Sequence, residues 1–128
     1  MTIRMDESLP LGLDRDGSPP LTVLESRAGP RVVLTVKGEV DLASCDGLRA
    51  ALEGVADSGV SEIWLDLTHV GFMDSTGLNV LVEAHRELNG RSFALICPEG
   101  PVRRVIAVSG IDKVIPVHVN RSAADGAT

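Results

Sequence analysis

Glu62-Ile63-Trp64-Leu65-Asp66-Leu67, followed by Thr68-His69-Val70-Gly71-Phe72-Met73-Asp74-Ser75-Thr76-Gly77 and then Leu78, Leu81, Val82 and Leu88, is the stretch that decides the fold. It reads as a short apolar strand, a corner, and a helix over about 75–89, because the apolar positions change from a continuous run to helical spacing. Glu83 and Glu87 fall on the outer face of that helix. The same strand-corner-helix order recurs on either side. Strands are expected at about 21–27 and 32–38, joined by a turn at Ala28-Gly29-Pro30, then at 92–97 and at 114–119, where Pro116 argues for an edge position. Helices are expected at about 44–57, with Ser44 as N-cap and Leu48, Leu52 and Val55 on one face, and at 101–109 between Pro101 and Gly110. A hairpin followed by three βα units gives an α/β domain: a mixed, mostly parallel sheet of about five strands with helices packed on it.

Outside residues 21–120 this patterning dissolves. Residues 1–20 hold Asp6, Glu7, Asp14 and Asp16 with Pro10, Pro19 and Pro20 and no periodicity, which reads as a flexible acidic tail. Residues 121–128 are expected to be a second tail. The whole chain of 128 residues has a formal charge of −6, and its patterned part alone carries thirteen acidic against nine basic side chains. Nucleic acid is therefore not an expected partner: no basic stripe faces phosphates, and Trp64, Phe72 and Phe93 are the only aromatics on which bases could stack. Two cysteines make no disulfide framework, and with no long apolar h-region near residue 1 and no apolar run of about 18 residues, neither secretion nor membrane spanning is expected. The expected setting is cytoplasmic, away from membranes.

In a sheet of this kind, ligands and modification sites gather beyond the C-terminal ends of the parallel strands, where loops meet helix N-termini. Three such corners exist: Gly38 to Ser44, Thr68 to Gly77, and Pro98 to Pro101. The middle one is richest, placing an acid, two hydroxyls and a glycine at the first turn of a helix. Local chemistry allows a plain reading, with Asp74 or Ser75 as N-cap and Gly77 as a packing glycine. A glycine there costs about 1 kcal/mol of helix stability relative to alanine, so a close approach of backbone or partner is the other explanation.

At these residues the chain resembles a known family. Val70-Gly71-Phe72-Met73-Asp74-Ser75-Thr76-Gly77-Leu78 is similar to the signature of the STAS domain in bacterial anti-sigma factor antagonists, and Gly38-Glu39-Val40-Asp41-Leu42 is similar to that family's upstream Gly-Glu-(Ile/Leu)-Asp segment. The resemblance covers about residues 21–120 and implies the STAS fold. It also implies a switch. The unphosphorylated antagonist binds an anti-sigma factor of the ATP-binding serine kinase type and frees the sigma factor; phosphorylation of Ser75 separates the two, and a phosphatase resets the cycle. Asp41, Asp74, Ser75, Thr76 and Gly77 are the implied partner-binding residues, with Gly77 letting the partner approach. Asn79 stands where several relatives carry a small residue. The chain has no Gly-x-x-x-x-Gly-Lys-Ser/Thr loop of its own, so the ATP is expected on the partner, and neither a cofactor nor enzymatic activity is expected of this chain.

Other readings compete. Leu65-Asp66-Leu67 resembles the phosphoaspartate strand of a receiver domain, although the acidic pair and the lysine of a receiver are not evident. A hydrolase with Ser75 as nucleophile lacks a Gly-x-Ser-x-Gly elbow. A STAS adaptor subunit of another complex, as in lipid transport, keeps the fold and changes the partner. Cys45 and Cys97 are ordinarily small buried hydrophobes, but both are expected at the Ser75 end of the sheet, which makes them a candidate redox pair.

Overall fold

The computed structural model describes residues 21–126, so the acidic segment 1–20 lies outside the described residues. Five strands, β1 (Thr22–Ala28), β2 (Arg31–Val40), β3 (Glu62–Met73), β4 (Ser92–Ile96) and β5 (Val117–His118), form one sheet in the order β1-β2-β3-β4-β5. β1 and β2 are antiparallel; β2, β3, β4 and β5 run parallel. The helices are α1 (Cys45–Asp57), α2 (Ser75–Glu87), α3 (Pro101–Ser109) and α4 (Arg121–Gly126). β5 is a two-residue edge strand, and Pro116 suits that edge because it needs only to accept: its carbonyl takes the Leu95 N–H at 2.8 Å.

The sheet has two unequal faces. Leu34, Val36, Ile63, Leu65, Leu67 and Leu95 turn toward α1, α2 and α3 and form the main core with Leu48, Leu52, Leu81 and Ile106. Burying each such side chain is worth about 1.5–3 kcal/mol, so this face dominates stability. Among the described residues, the buried apolar cluster of the opposite face is smaller: Val33, Trp64, Ala94 and Ile96, covered by Ala124 of α4.

Residues 121–126, expected as a tail, are this cover. Asn120 caps α4, its Oδ1 accepting the Ala123 N–H at 2.8 Å. The helix is tied down by Arg121 to Asp66 at 2.9 Å and by Asp125 to Arg31 at 3.0 Å, while the Arg31 guanidinium lies 3.7 Å above the Trp64 ring. Six residues show no amphipathic period and do not hold a helix alone, which is why local patterning misses it.

β3 is twice as long as expected, reaching Met73 instead of stopping at Leu67. Its register with β2 slips twice: Thr35 faces Asp66 but Lys37 faces His69, and Gly38 faces Val70 but Glu39 faces Phe72. Each slip inserts one extra β3 residue, a bulge. The inward positions therefore run Leu67, Val70, Met73, a spacing of three that imitates a corner or a helix. At the second slip Gly38 has φ +119°, backbone that favours glycine.

α2 is also rolled from its expected orientation. Gly77, Val80, Leu81 and Ala84 are its buried positions, with the C-cap residue Leu88 buried behind them, and Leu78 and Val82 are only half-buried. The small residues on the inner line set the helix close to the sheet.

Candidate functional site

The bulges carry β3 far enough that its end lies level with the end of β2. Val40 pairs with Met73, and the Asp74 N–H donates to the Val40 carbonyl at 3.2 Å. The corner after β2, with Asp41, Leu42 and Ser44, thus stands beside the corner after β3, with Asp74, Ser75 and Thr76. The sequence suggested that both belonged to one end of the sheet; the paired register makes them neighbours.

In the second corner Asp74 is the N-cap of α2. Its Oδ1 accepts the Thr76 N–H at 3.0 Å, the Gly77 N–H at 3.4 Å and the Thr76 hydroxyl. The Thr76 hydroxyl, helped by the two N–H groups, holds the Asp74 carboxyl below its ordinary range, so it is ionised at neutral pH. Ser75, the next residue, is the first of α2. Its side chain is exposed and its hydroxyl has no hydrogen-bond partner among the described residues.

Gly77 points the other way. A Cβ there would lie 2.7 Å from Met73 Cγ and 2.8 Å from Val40 Cγ1. The geometry fits a packing role for this glycine: buried at the first turn, it lets α2 press on the ends of β2 and β3.

In the first corner Asp41, not Ser44, performs the capping. Asp41 Oδ1 accepts the N–H groups of Ala43 at 3.0 Å and Ser44 at 3.1 Å, while the Asp41 carbonyl accepts the Cys45 N–H at 2.8 Å. Ser44 occupies the N-cap position of α1 but makes no capping bond. Its hydroxyl donates to the Glu39 carbonyl at 2.6 Å and accepts the Asp41 N–H at 3.0 Å.

Asp66, the residue a receiver domain would phosphorylate, is only 5% exposed and lies on the α4 side of the sheet. Burial alone would push its carboxyl up. The Thr68 hydroxyl and N–H and the Arg121 guanidinium outweigh that and hold it low, as an ion-paired structural group. Asp66 is not a phosphoacceptor in this geometry.

Cys45 and Cys97 are both buried. Cys97 follows Ile96, which pairs with Asp66, whereas Cys45 follows the corner level with Met73. Both belong to the main core on the helix side of the sheet, Cys45 at the start of α1 and Cys97 just after β4. Both are free thiols, with no disulfide between them. Burial also pushes the Cys97 thiol up, away from the reactive thiolate.

Among the described residues no group of three or more His, Cys, Asp or Glu side chains is arranged to hold a metal ion, and no helix is long and apolar enough to cross a membrane. The model of the STAS domain family matches residues 22–124. The chain belongs to the STAS domain family. The match runs into α4, which ends at Gly126. The anti-sigma F factor antagonist of Paenibacillus polymyxa is 29% identical over 92 residues, spanning 70% of this chain and 79% of the relative. The anti-sigma-F factor antagonist RsfB of Mycobacterium tuberculosis is 31% identical over 83 residues, spanning 63% of this STAS domain chain and 67% of the relative. The crystal structure of an anti-sigma factor antagonist from Mycobacterium paratuberculosis superposes with a TM-score of 0.82 at 26% identity, covering 90% of this chain and 97% of that one. The receiver reading is thereby replaced: the sheet, its order and the family match are those of a STAS domain.

Proposed function

We propose that this STAS domain is an anti-sigma factor antagonist: it binds an anti-sigma factor of the ATP-binding serine kinase type, frees the sigma factor, and is switched off by phosphorylation of Ser75. The observation that carries the reading is the Ser75 hydroxyl, exposed and without a hydrogen-bond partner at the first turn of α2. Its relatives in Paenibacillus polymyxa and Mycobacterium tuberculosis are named antagonists of anti-sigma factors, which supports the partner class. In this reading the chain is a binding protein and not an enzyme, acts in the cytoplasm, and is reset by a phosphatase.

The geometry supplies a mechanism. A phosphate on Ser75 adds about −1.5 to −2 charges and three strong acceptors. Such a group is ordinarily welcomed by a helix N-terminus, but here the Thr76 and Gly77 N–H groups already serve Asp74. The phosphate must therefore stand outward beside an ionised carboxylate. Fold stability changes little, whereas a partner packed on this spot meets repulsion and a costly desolvation. A loss of about 3–4 kcal/mol there is a few-hundredfold in affinity.

The deciding experiment titrates an ATP-binding anti-sigma factor with wild type, Ser75→Ala and Ser75→Glu by calorimetry. Wild type and Ser75→Ala are expected to bind alike and Ser75→Glu a few-hundredfold more weakly, with all three melting alike. Equal binding by Ser75→Glu would refute the switch.

A further inference from the structure

Two large apolar side chains stand exposed at the paired corners. Leu42, in the β2–α1 corner, is 76% exposed, and Phe72, next to the end of β3, is 47% exposed. Phe72 is in register with Glu39, one residue before the Val40–Met73 pair, and Leu42 follows two residues after Val40. They flank the Asp74–Ser75 turn from the two adjoining strand ends. The other exposed large hydrophobics, Leu24, Val108, Val114 and Val119, lie on β1, on α3, after α3 and after β5.

Neither residue is explained by the fold. The Asp41 turn that holds Leu42 is closed by the Asp41 and Ser44 side chains and by backbone bonds, with no contribution from the Leu42 side chain. Phe72 falls between two inward positions of β3, Val70 and Met73, on the side away from the main core. The charged side chains of these strand ends and corners, Glu39, Asp41 and Asp74, are all acidic. Glu39, Asp41 and Asp74 make no ion pair among the described residues, in contrast to Asp46 and Glu83 nearby, which are both taken up by Arg49.

We infer that Leu42 and Phe72 are the two apolar anchors by which this domain docks on its anti-sigma factor, and that the partner face is an apolar surface rimmed by Lys or Arg side chains that meet Glu39, Asp41 and Asp74. The inference rests on the function proposed above and names the contacts that surround Ser75. Binding energy concentrates in a few central aromatic and aliphatic side chains, and complementary charge mainly speeds encounter. The two kinds of contact therefore have separate kinetic signatures. Truncating an anchor raises the dissociation rate, whereas neutralising Glu39 slows association. A phosphate placed between the anchors acts on both, because it adds charge where the apolar surfaces must close.

Surface plasmon resonance against an immobilised ATP-binding anti-sigma factor, with wild type, Leu42→Ala, Phe72→Ala, Glu39→Gln, Ser75→Glu and the controls Leu24→Ala and Val108→Ala, tests this. The expected result is about tenfold weaker binding for each anchor variant through faster dissociation, slower salt-dependent association for Glu39→Gln, and wild-type binding by both controls. Wild-type affinity in Leu42→Ala and Phe72→Ala while Ser75→Glu binds weakly would overturn the anchors and leave the switch standing. Absence of binding by wild type would overturn both. Sedimentation showing a wild-type dimer that Leu42→Ala and Phe72→Ala dissolve would assign the patch to a second copy of the chain and also overturn the inference.

Discussion

At the end of β2, Asp41 and Ser44 close the chain into α1; at the end of β3, Asp74 and Ser75 open it into α2. Both corners use an aspartate whose Oδ1 gathers backbone N–H groups. Each also has a serine at the helix start, and the two serines end in opposite conditions. The Ser44 hydroxyl is consumed twice, donating to Glu39 and accepting from Asp41. The Ser75 hydroxyl is presented to solvent with no partner among the described residues. The difference lies in spacing: Ser44 sits three residues after its aspartate, where a side chain folds back over the turn, whereas Ser75 sits immediately after, where it projects away. Availability for modification is thus a matter of register within the corner and not of residue type.

The sharpest way to break this contrast is phosphorylation itself. With an ATP-binding anti-sigma factor and labelled ATP, Ser75→Ala is expected to lose incorporation completely and Ser44→Ala to retain it. Label surviving in Ser75→Ala would erase the distinction. A smaller but large effect is expected at Gly77, where the second corner is sealed from inside. Gly77→Ala would ordinarily favour a helix by about 1 kcal/mol, yet the overlap with Met73 and Val40 reverses the sign. Urea unfolding should show a net loss of about 1–3 kcal/mol, in the range of overpacked cores. A gain in stability would mean that α2 can ride further from the sheet.

Next come the two serines as stability probes. Ser44→Ala strands the half-buried Asp41 N–H and Glu39 carbonyl and should cost about 1–2 kcal/mol, with Asp41→Ala costing about 1 kcal/mol as a lost cap. Ser75→Ala should stay within about 0.5 kcal/mol of wild type; thermal melts of the three variants rank them directly. The smallest effect is in pH. The Asp74 carboxyl is held below its ordinary value in the folded state, so its stabilisation is complete above the unfolded carboxylate pKa of about 3.9 and is lost as pH falls through the folded value. Asp74→Asn should flatten the stability curve only below about pH 5. Because Asp66 shifts in the same direction, the difference between wild-type and variant curves isolates the contribution of Asp74.

The amino-acid sequence by itself determined the hairpin, the three βα units, the helix starting at Ser75 and the edge position of β5. These depend on periodicity, caps and proline chemistry, all of which act over a few residues. It also placed the Asp74–Ser75 turn at a helix N-terminus, and the resemblance to the STAS signature singled out Ser75 within it. Only the tertiary structure decided that β3 runs on to Met73, because two bulges turn an alternating pattern into a spacing of three that is intelligible only against β2. Only it showed α4, whose ties join Asp66 to Arg121 and Arg31 to Asp125 across 55 and 94 residues of chain. The inward role of Gly77 was likewise hidden, since it follows from which strand ends lie beneath α2 and at what height. Neighbours in sequence set the turns; neighbours in space set which side chains of those turns are left exposed.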